Sequence, residues 1–375
     1  MSQRIQEGSV EANNNLKFLE SITPQCEALS QAEPKEIPAI LPTLLNCIRM
    51  IWSLSRFYNT EERLTGLLRK ISNEIIHRCR AKISLDDVFD GDVDASIVTL
   101  EESIACGVSW KLIYKRTAAA VAASSSRQWA FDDASIFAQI EAFVQRCRDL
   151  LEVCEGQIQF VRKSSVTKGA PGPLPKFGGT RGEEITKQIL TIQENFEAQI
   201  ERLRHIQAND YEILDVKTSK WHDDYNFFKN QVKDLEVMYT NVMNTAFDGT
   251  SHVKDGVALL ETFYMLAKRD AIRQCVEKKT AEIYSLFQKQ VQSVRNEFDK
   301  KQMCLRPNEP QYAGSALWAR SLASMVEESW SLLRDAKYLV HPKEAKDAEA
   351  AYNSLITVLN DYKTNRYQAW KEVAE

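Results

Sequence analysis

The chain is 375 residues long, with 44% apolar and 27% charged residues but only 13 Gly and 10 Pro. That length is enough to bury one or two substantial cores. Gly and Pro so far below average usage leave few turns, which excludes a many-stranded sandwich or barrel and a doubly wound sheet with glycine-rich phosphate loops. Lys plus Arg number 48 against 52 Asp plus Glu, a formal charge of −4 with no run of five or six like charges, so no global field for nucleic acid exists.

In chain order, Pro24, Pro34, Pro38 and Pro42 predict that any upstream helix is interrupted, and that the globular part starts near Ile37 with the apolar run Leu41 to Trp52. Asn59-Thr-Glu-Glu62 then reads as a capping box. Behind it Leu64, Leu67, Leu68, Ile71, Ile75, Cys79 and Ile83 recur at steps of three and four, one stripe of an amphipathic helix. A second long helix is expected from Trp129 to Val161, through Ile136, Ile140, Phe143, Cys147, Leu150 and Cys154.

Residues 163 to 182, KSSVTKGAPGPLPKFGGTRG, hold five glycines and three prolines in 20 positions and read as a linker or long loop. Helical stripes resume from Ile185 to Ile206, Trp221 to Phe247, Val257 to Leu266, Ile272 to Phe298 and Leu317 to Leu333, with a last helix from Lys343 to the end. Tyr211-Glu-Ile-Leu-Asp215 reads as a short connector, and breaks are expected at Asp248-Gly249, Pro307 to Pro310 and His341-Pro342. The fold class is all-α, an elongated series of antiparallel helical bundles. The segments are 1–39, an N-terminal extension, partly helical or flexible; 40–162, a first helical segment; 163–182, the linker; and 183–375, a second helical segment whose last helix, reaching the terminus without a stop signal, continues in a longer parent.

Reactive chemistry is sparse. No Gly-x-x-x-x-Gly-Lys-Ser/Thr, Gly-x-Ser-x-Gly or His-Glu-x-x-His is present, and Gly178-Gly-Thr-Arg-Gly182 lacks the lysine of a phosphate cradle. His77, His205, His222, His252 and His341 fall in separate segments without the i, i+4 pairing that aims two imidazoles at one metal. Cys26, Cys47, Cys79, Cys106, Cys147, Cys154, Cys275 and Cys304 are scattered, with no CxxC. The start has no apolar leader and no later stretch approaches 18 uncharged apolar residues, so the expectation is an intracellular, soluble protein with free thiols, off the membrane. No catalytic residue, cofactor site or resident metal is expected.

One acidic stretch places oxygen ligands as a calcium loop would. Asp90, Asp92, Asp94, Ser96 and Glu101 occupy positions 1, 3, 5, 7 and 12 of an EF-hand, but Ala95 stands where the sharp turn requires glycine. The alternative is an acidic segment feeding a helix, its aspartates favoured by the helix dipole. Trp52, Trp110, Trp129, Trp221, Trp318, Trp330 and Trp370 lie on helical faces, where a wide or two-sided apolar stripe must cover another helix or another chain.

The run from Ile51-Trp-Ser-Leu to Ile-Ser-Asn-Glu-Ile-Ile76, with its Tyr-Asn-Thr and Arg-Leu, resembles the N-terminal tail region of dynein heavy chains. Further pieces similar to that region follow in order: Trp110-Lys-Leu-Ile-Tyr114, Trp129-Ala-Phe-Asp132 with Ile136-Phe137, Arg146-Cys-Arg-Asp-Leu150, Phe177 to Gly182, Tyr211 to Asp215, Asp224-Tyr225 with Phe228, and Ala313 to Leu322. The forms at Tyr58 and Ile71 look more axonemal than cytoplasmic. The resemblance implies a non-catalytic scaffold of helical bundles that associates with other dynein heavy chains and docks dynein intermediate chains and light chains, in the cytoplasm and cytoskeleton, at the axoneme of a cilium or flagellum. It implies no motor ring in this chain and no direct microtubule contact through a motor stalk. The readings beside it are a calcium-responsive helical module and a general helical-bundle adaptor.

Overall fold

The structure is a computed structural model and describes residues 2–124, 129–161, 177, 181–303, 310–336 and 342–374. All but Phe177, Arg181 and Gly182 of the stretch 163–182 lie outside the described residues, as do Cys304, His341 and the expected break at 307–309. Among the described residues there are twelve α-helices and no strand. They divide into two compact units, Met1–Gly172 with Phe196–Gln231, and Pro173–Asn195 with Val232–Glu375.

In the first unit, α1 (Ser2–Gln31) runs through Pro24 rather than stopping before it. Ile22 and Leu29 on either side of that proline are 3% and 2% exposed, and α1 packs on α2 (Ile37–Leu54) and α3 (Glu61–Arg80). The packed structure therefore begins well before Ile37. Losing one backbone hydrogen bond at an internal proline costs about 3 kcal/mol, and two buried aliphatic side chains together offset it at about 1.5–3 kcal/mol each.

Helix α2 buries Ile37, Leu41, Leu44, Leu45, Ile48, Ile51 and Trp52. The span Pro34–Leu54 is the one place among the described residues where a helix is long and apolar enough to cross a membrane by length and composition. Its apolar stripe is spent instead on α1 and α5 (Val93–Ser124), which makes it a core helix. The cap of α3 sits one residue later than the Asn59 reading, because the Thr60 hydroxyl accepts the Arg63 amide at 3.4 Å. After the short α4 (Leu85–Asp90), α5 presents Trp110 to the core, fully buried, its indole N–H donating to Ser72 Oγ at 2.9 Å.

Helix α6 (Asp133–Gly156) starts four residues later than the Trp129 reading, because Asp132 Oδ1 accepts the Ser135 amide at 3.2 Å and caps it. Trp129 and Phe131 precede it, and Phe131 meets the Trp52 and Trp129 rings edge-on at 5.0 Å each. The helix then widens into one π-turn, Gln157–Val161. Helix α7 (Gly182–Asn209) contributes Phe196, which lies 5.1 Å from the Phe160 ring and 6.0 Å from Phe228 of α8 (Lys220–Phe247). Residues 210–219 join the two helices, as the connector reading expects.

The second unit holds α9 (Val253–Leu266), α10 (Asp270–Lys301), α11 (Gln311–Asp335) and α12 (Pro342–Ala374), with Gly249 at φ +84° making the turn after α8. Two sets of rings tie α10, α11 and α12 together. Phe287, Trp330 and Tyr352 stack in sequence at 5.5 and 5.4 Å; Phe298 lies 5.7 Å from Trp318 and 5.2 Å from Tyr362. The two sets are about three helical turns apart on each helix, so the same register recurs on all three. It makes α11 antiparallel to the other two.

At Gly156 in the first unit the helices approach closely, and an added Cβ would lie 2.7 Å from the rigid Phe196 ring. Gly156→Ala is therefore expected to destabilise the chain by about 1–3 kcal/mol, read as a lower urea midpoint at unchanged slope.

Candidate functional site

Three turns of α6, the 210–219 connector and the first turns of α8 build a buried polar cluster inside the first unit. Arg146 and Asp149 stand three residues apart on one face of α6 and are each 6% exposed. Two charges buried this deeply cost several kcal/mol unless they are paired and hydrogen-bonded. The Arg146 guanidinium donates to the Ile213 carbonyl and lies 5.0 Å from the centre of the Trp221 ring. Asp149 accepts the Trp221 indole N–H at 2.8 Å and the Gln145 amide at 2.9 Å.

One turn further on, the Tyr225 hydroxyl donates to Glu152. The pairs 149 with 221 and 152 with 225 show α6 and α8 running parallel here, with α7 antiparallel between Phe160 and Phe228. The connector is held from both sides: Tyr211 donates to Asp224 at 2.8 Å, and the Ile213 amide donates to Gln207 Oε1 at 2.8 Å. Beside it a polar recess of 610 Å³ is bordered by His77, Ser84 and Leu214 and bridged by the Arg80–Glu212 ion pair.

Burial pushes the Asp149 carboxyl up from the ordinary carboxylate range, opposed by its bonds to Trp221 and Gln145 and by the Arg146 charge. Burial likewise pushes the Cys154 thiol up to about 12 and raises that of Cys147, so both are protonated and unreactive at neutral pH. The seven described cysteines are all free thiols. The cluster therefore offers fixed dipoles and satisfied charges rather than an activated nucleophile.

The acidic stretch has a different geometry from a twelve-residue loop. Asp90 ends α4 and pairs with Arg204 at 3.3 Å; Asp92 Oδ1 accepts the Ala95 amide at 3.1 Å and caps α5. Asp94, Ser96 and Glu101 lie within α5, and the Ser96 hydroxyl donates to the Asp92 carbonyl at 3.0 Å. No group of three His, Cys, Asp or Glu among the described residues is placed to hold a metal ion. His77, His205, His222 and His252 stand on separate elements.

The cluster gathers Arg146 to Leu150, Tyr211 to Asp215 and Asp224-Tyr225 with Phe228, three of the runs that resemble the dynein tail. A family model described as "Dynein heavy chain, N-terminal region 1" matches residues 1–375. The chain belongs to this dynein heavy chain family. It is 48% identical over 370 residues to "Dynein-1-beta heavy chain, flagellar inner arm I1 complex" of Chlamydomonas reinhardtii, covering 98% of this chain and 8% of that protein. It is 30% identical over 370 residues to "Dynein axonemal heavy chain 2" of Mus musculus, covering 99% of this chain and 6% of that protein. The dynein "beta chain, flagellar outer arm" of Chlamydomonas reinhardtii is 23% identical over 374 residues, covering 98% of this chain and 8% of that protein.

The chain thus spans less than a tenth of the length of these dynein heavy chains. The match is to the N-terminal region of the family, not to its motor. Arg146 and Asp149 stand in one run of the sequence and Trp221 in another; the signal that points to the cluster is a charged residue inside an otherwise apolar stripe.

Two outcomes test the cluster. Trp221→Phe leaves one Asp149 oxygen without its donor and is expected to cost about 1–3 kcal/mol, measured by urea unfolding. Because the native Asp149 binds its proton more tightly than the unfolded chain does, its ionised form detracts from stability above its raised pKa, and stability is regained as pH falls through that value. Wild type should therefore gain thermal midpoint relative to Asp149→Asn as pH is lowered from about 7 toward about 4.

Proposed function

We propose that this chain is a non-catalytic tail segment of an axonemal dynein heavy chain, serving as a scaffold for heavy-chain association and for docking intermediate and light chains. The observation that carries the proposal is the match of the N-terminal family model to residues 1–375, with relatives named as flagellar or axonemal dyneins. The structure supports it by what the side chains are used for. On α6, Arg146 donates to the connector carbonyl of Ile213 and Asp149 accepts from Trp221 of α8, and the aromatic sets of the second unit hold three helices in one register.

In this reading the work of the chain is to keep long helices rigid and their outward faces constant. Rigid packed interfaces suit a tail that joins subunits at one end of a force-producing molecule, because such interfaces transmit strain rather than absorb it. The proposed location is the axoneme of a cilium or flagellum.

Expressed with an affinity tag in ciliated cells, the chain should recover dynein intermediate chains in stoichiometric amount, and purified chain should hydrolyse no ATP above a buffer blank. ATP turnover that co-elutes with the chain and is lost on its immunodepletion would overturn the non-catalytic reading. Recovery of no dynein subunit would overturn the scaffold.

A further inference from the structure

The groove between α5 and α6 is a place where the first unit leaves apolar surface uncovered. Gly107 lets the helices close up, since an added Cβ there would lie 2.3 Å from Val144 Cγ2 and 3.5 Å from Ile140 Cγ1. The groove above this floor measures 480 Å³. One wall is Val108 and Leu112, one helical turn apart on α5 and each 46% exposed. Helix α5 is thus apolar on two sides, with Trp110 and Tyr114 in the core and Val108 and Leu112 facing out.

The charges around the groove are mostly of one sign. Lys111 is engaged by Glu141 across the two helices. Lys115 and Arg148 are exposed and have no ion pair among the described residues. Gly107 facing Val144 and Lys111 facing Glu141 show that the helices are antiparallel, which puts Lys115 and Arg148 at opposite ends of the groove. Three cations against one carboxylate leave the lining at +2, in a chain whose net charge is −4. From Gly107 to Lys115 the groove runs about 12 Å, a little over two helical turns.

We propose that this groove binds an acidic amphipathic helix of another protein subunit. The apolar residues of that helix cover Val108 and Leu112, and carboxylates two to three turns apart meet Lys115 and Arg148. Charge complementarity selects this occupant. A second copy of the chain, laid groove to groove, would oppose like charges. The chain's own stretch 162–176 carries Arg162, Lys163, Lys168 and Lys176 and no acidic residue, so it is repelled in the same way. The proposal follows from the groove's charge and apolar wall, and does not depend on the tail reading above.

The test uses the full 375-residue chain and a fluorescent synthetic helical peptide of about 18 residues, five turns, with a leucine stripe flanked by glutamates. Fluorescence anisotropy should show saturable binding that weakens in about 0.5 M salt, where the screening length falls to a few ångströms. The double variant Lys115→Glu with Arg148→Glu should lose about tenfold or more in affinity and should prefer a peptide in which lysine replaces glutamate. Leu112→Ser should weaken binding without changing the charge response. All substituted positions are solvent-facing, and circular dichroism identical to wild type confirms folding. Equal affinity of wild type and the charge-reversed variant, or equal affinity for a peptide of the same composition scrambled out of helical register, would overturn the proposal. So would sedimentation showing a wild-type dimer that the charge reversal dissociates, since the groove would then belong to a contact between copies.

Discussion

Two opposite charges buried three residues apart on α6 impose the central constraint on the first unit. Neither Arg146 nor Asp149 can leave water without partners, and beyond their mutual attraction α6 supplies one hydrogen-bond partner, Gln145. The connector carbonyl of Ile213 and the indole of Trp221 supply others, which fixes where the chain must return after α7. These bonds join residues 67 and 72 positions apart, and they are directional where apolar contact is not. Apolar burial alone would tolerate a slip of one turn between α6 and α8. A buried carboxylate aimed at an indole N–H does not.

The second unit reaches a defined register by another route. Its three long helices repeat one ring contact about three turns further along, where shape and quadrupole geometry take the place of charge. Phe298 stacks on Trp318 and meets Tyr362 edge-on, and the Tyr362 hydroxyl donates to the Gln302 carbonyl at 3.1 Å, so the second ring set also carries a polar anchor. Both devices give a helical scaffold whose outward faces hold their positions. This is the property a tail segment needs if its surfaces, rather than any reactive group, carry function.

Legibility in the sequence followed the width of each apolar stripe. Helices α3, α7, α8 and α10 were readable because their buried residues recur at three and four and the opposite face is polar. Helix α5 was not assigned from its stripe, because Val108 and Leu112 on its outer side blur the period that Trp110 and Tyr114 set. Helix α1 was underestimated for the opposite reason: Pro24 and a polar surface hide two deeply buried aliphatic contacts. The Asn59 and Thr60 caps are chemically near-equivalent, and only the backbone direction at residue 60 chooses between them.

The family and the all-helical class were both written in local order, in spacings and runs that survive without any knowledge of what they touch. The same holds for the Asp248-Gly249 turn, where only glycine relieves the positive φ that follows α8. What the tertiary structure alone decided was use. It set Asp90 against Arg204 of α7, 114 residues away, at the start of the helix that Asp92 caps. It also joined Arg146, Asp149, Ile213 and Trp221, and it left Val108 and Leu112 outside. These outcomes depend on residues far apart in the chain meeting in three dimensions, and local periodicity carries no information about distant partners.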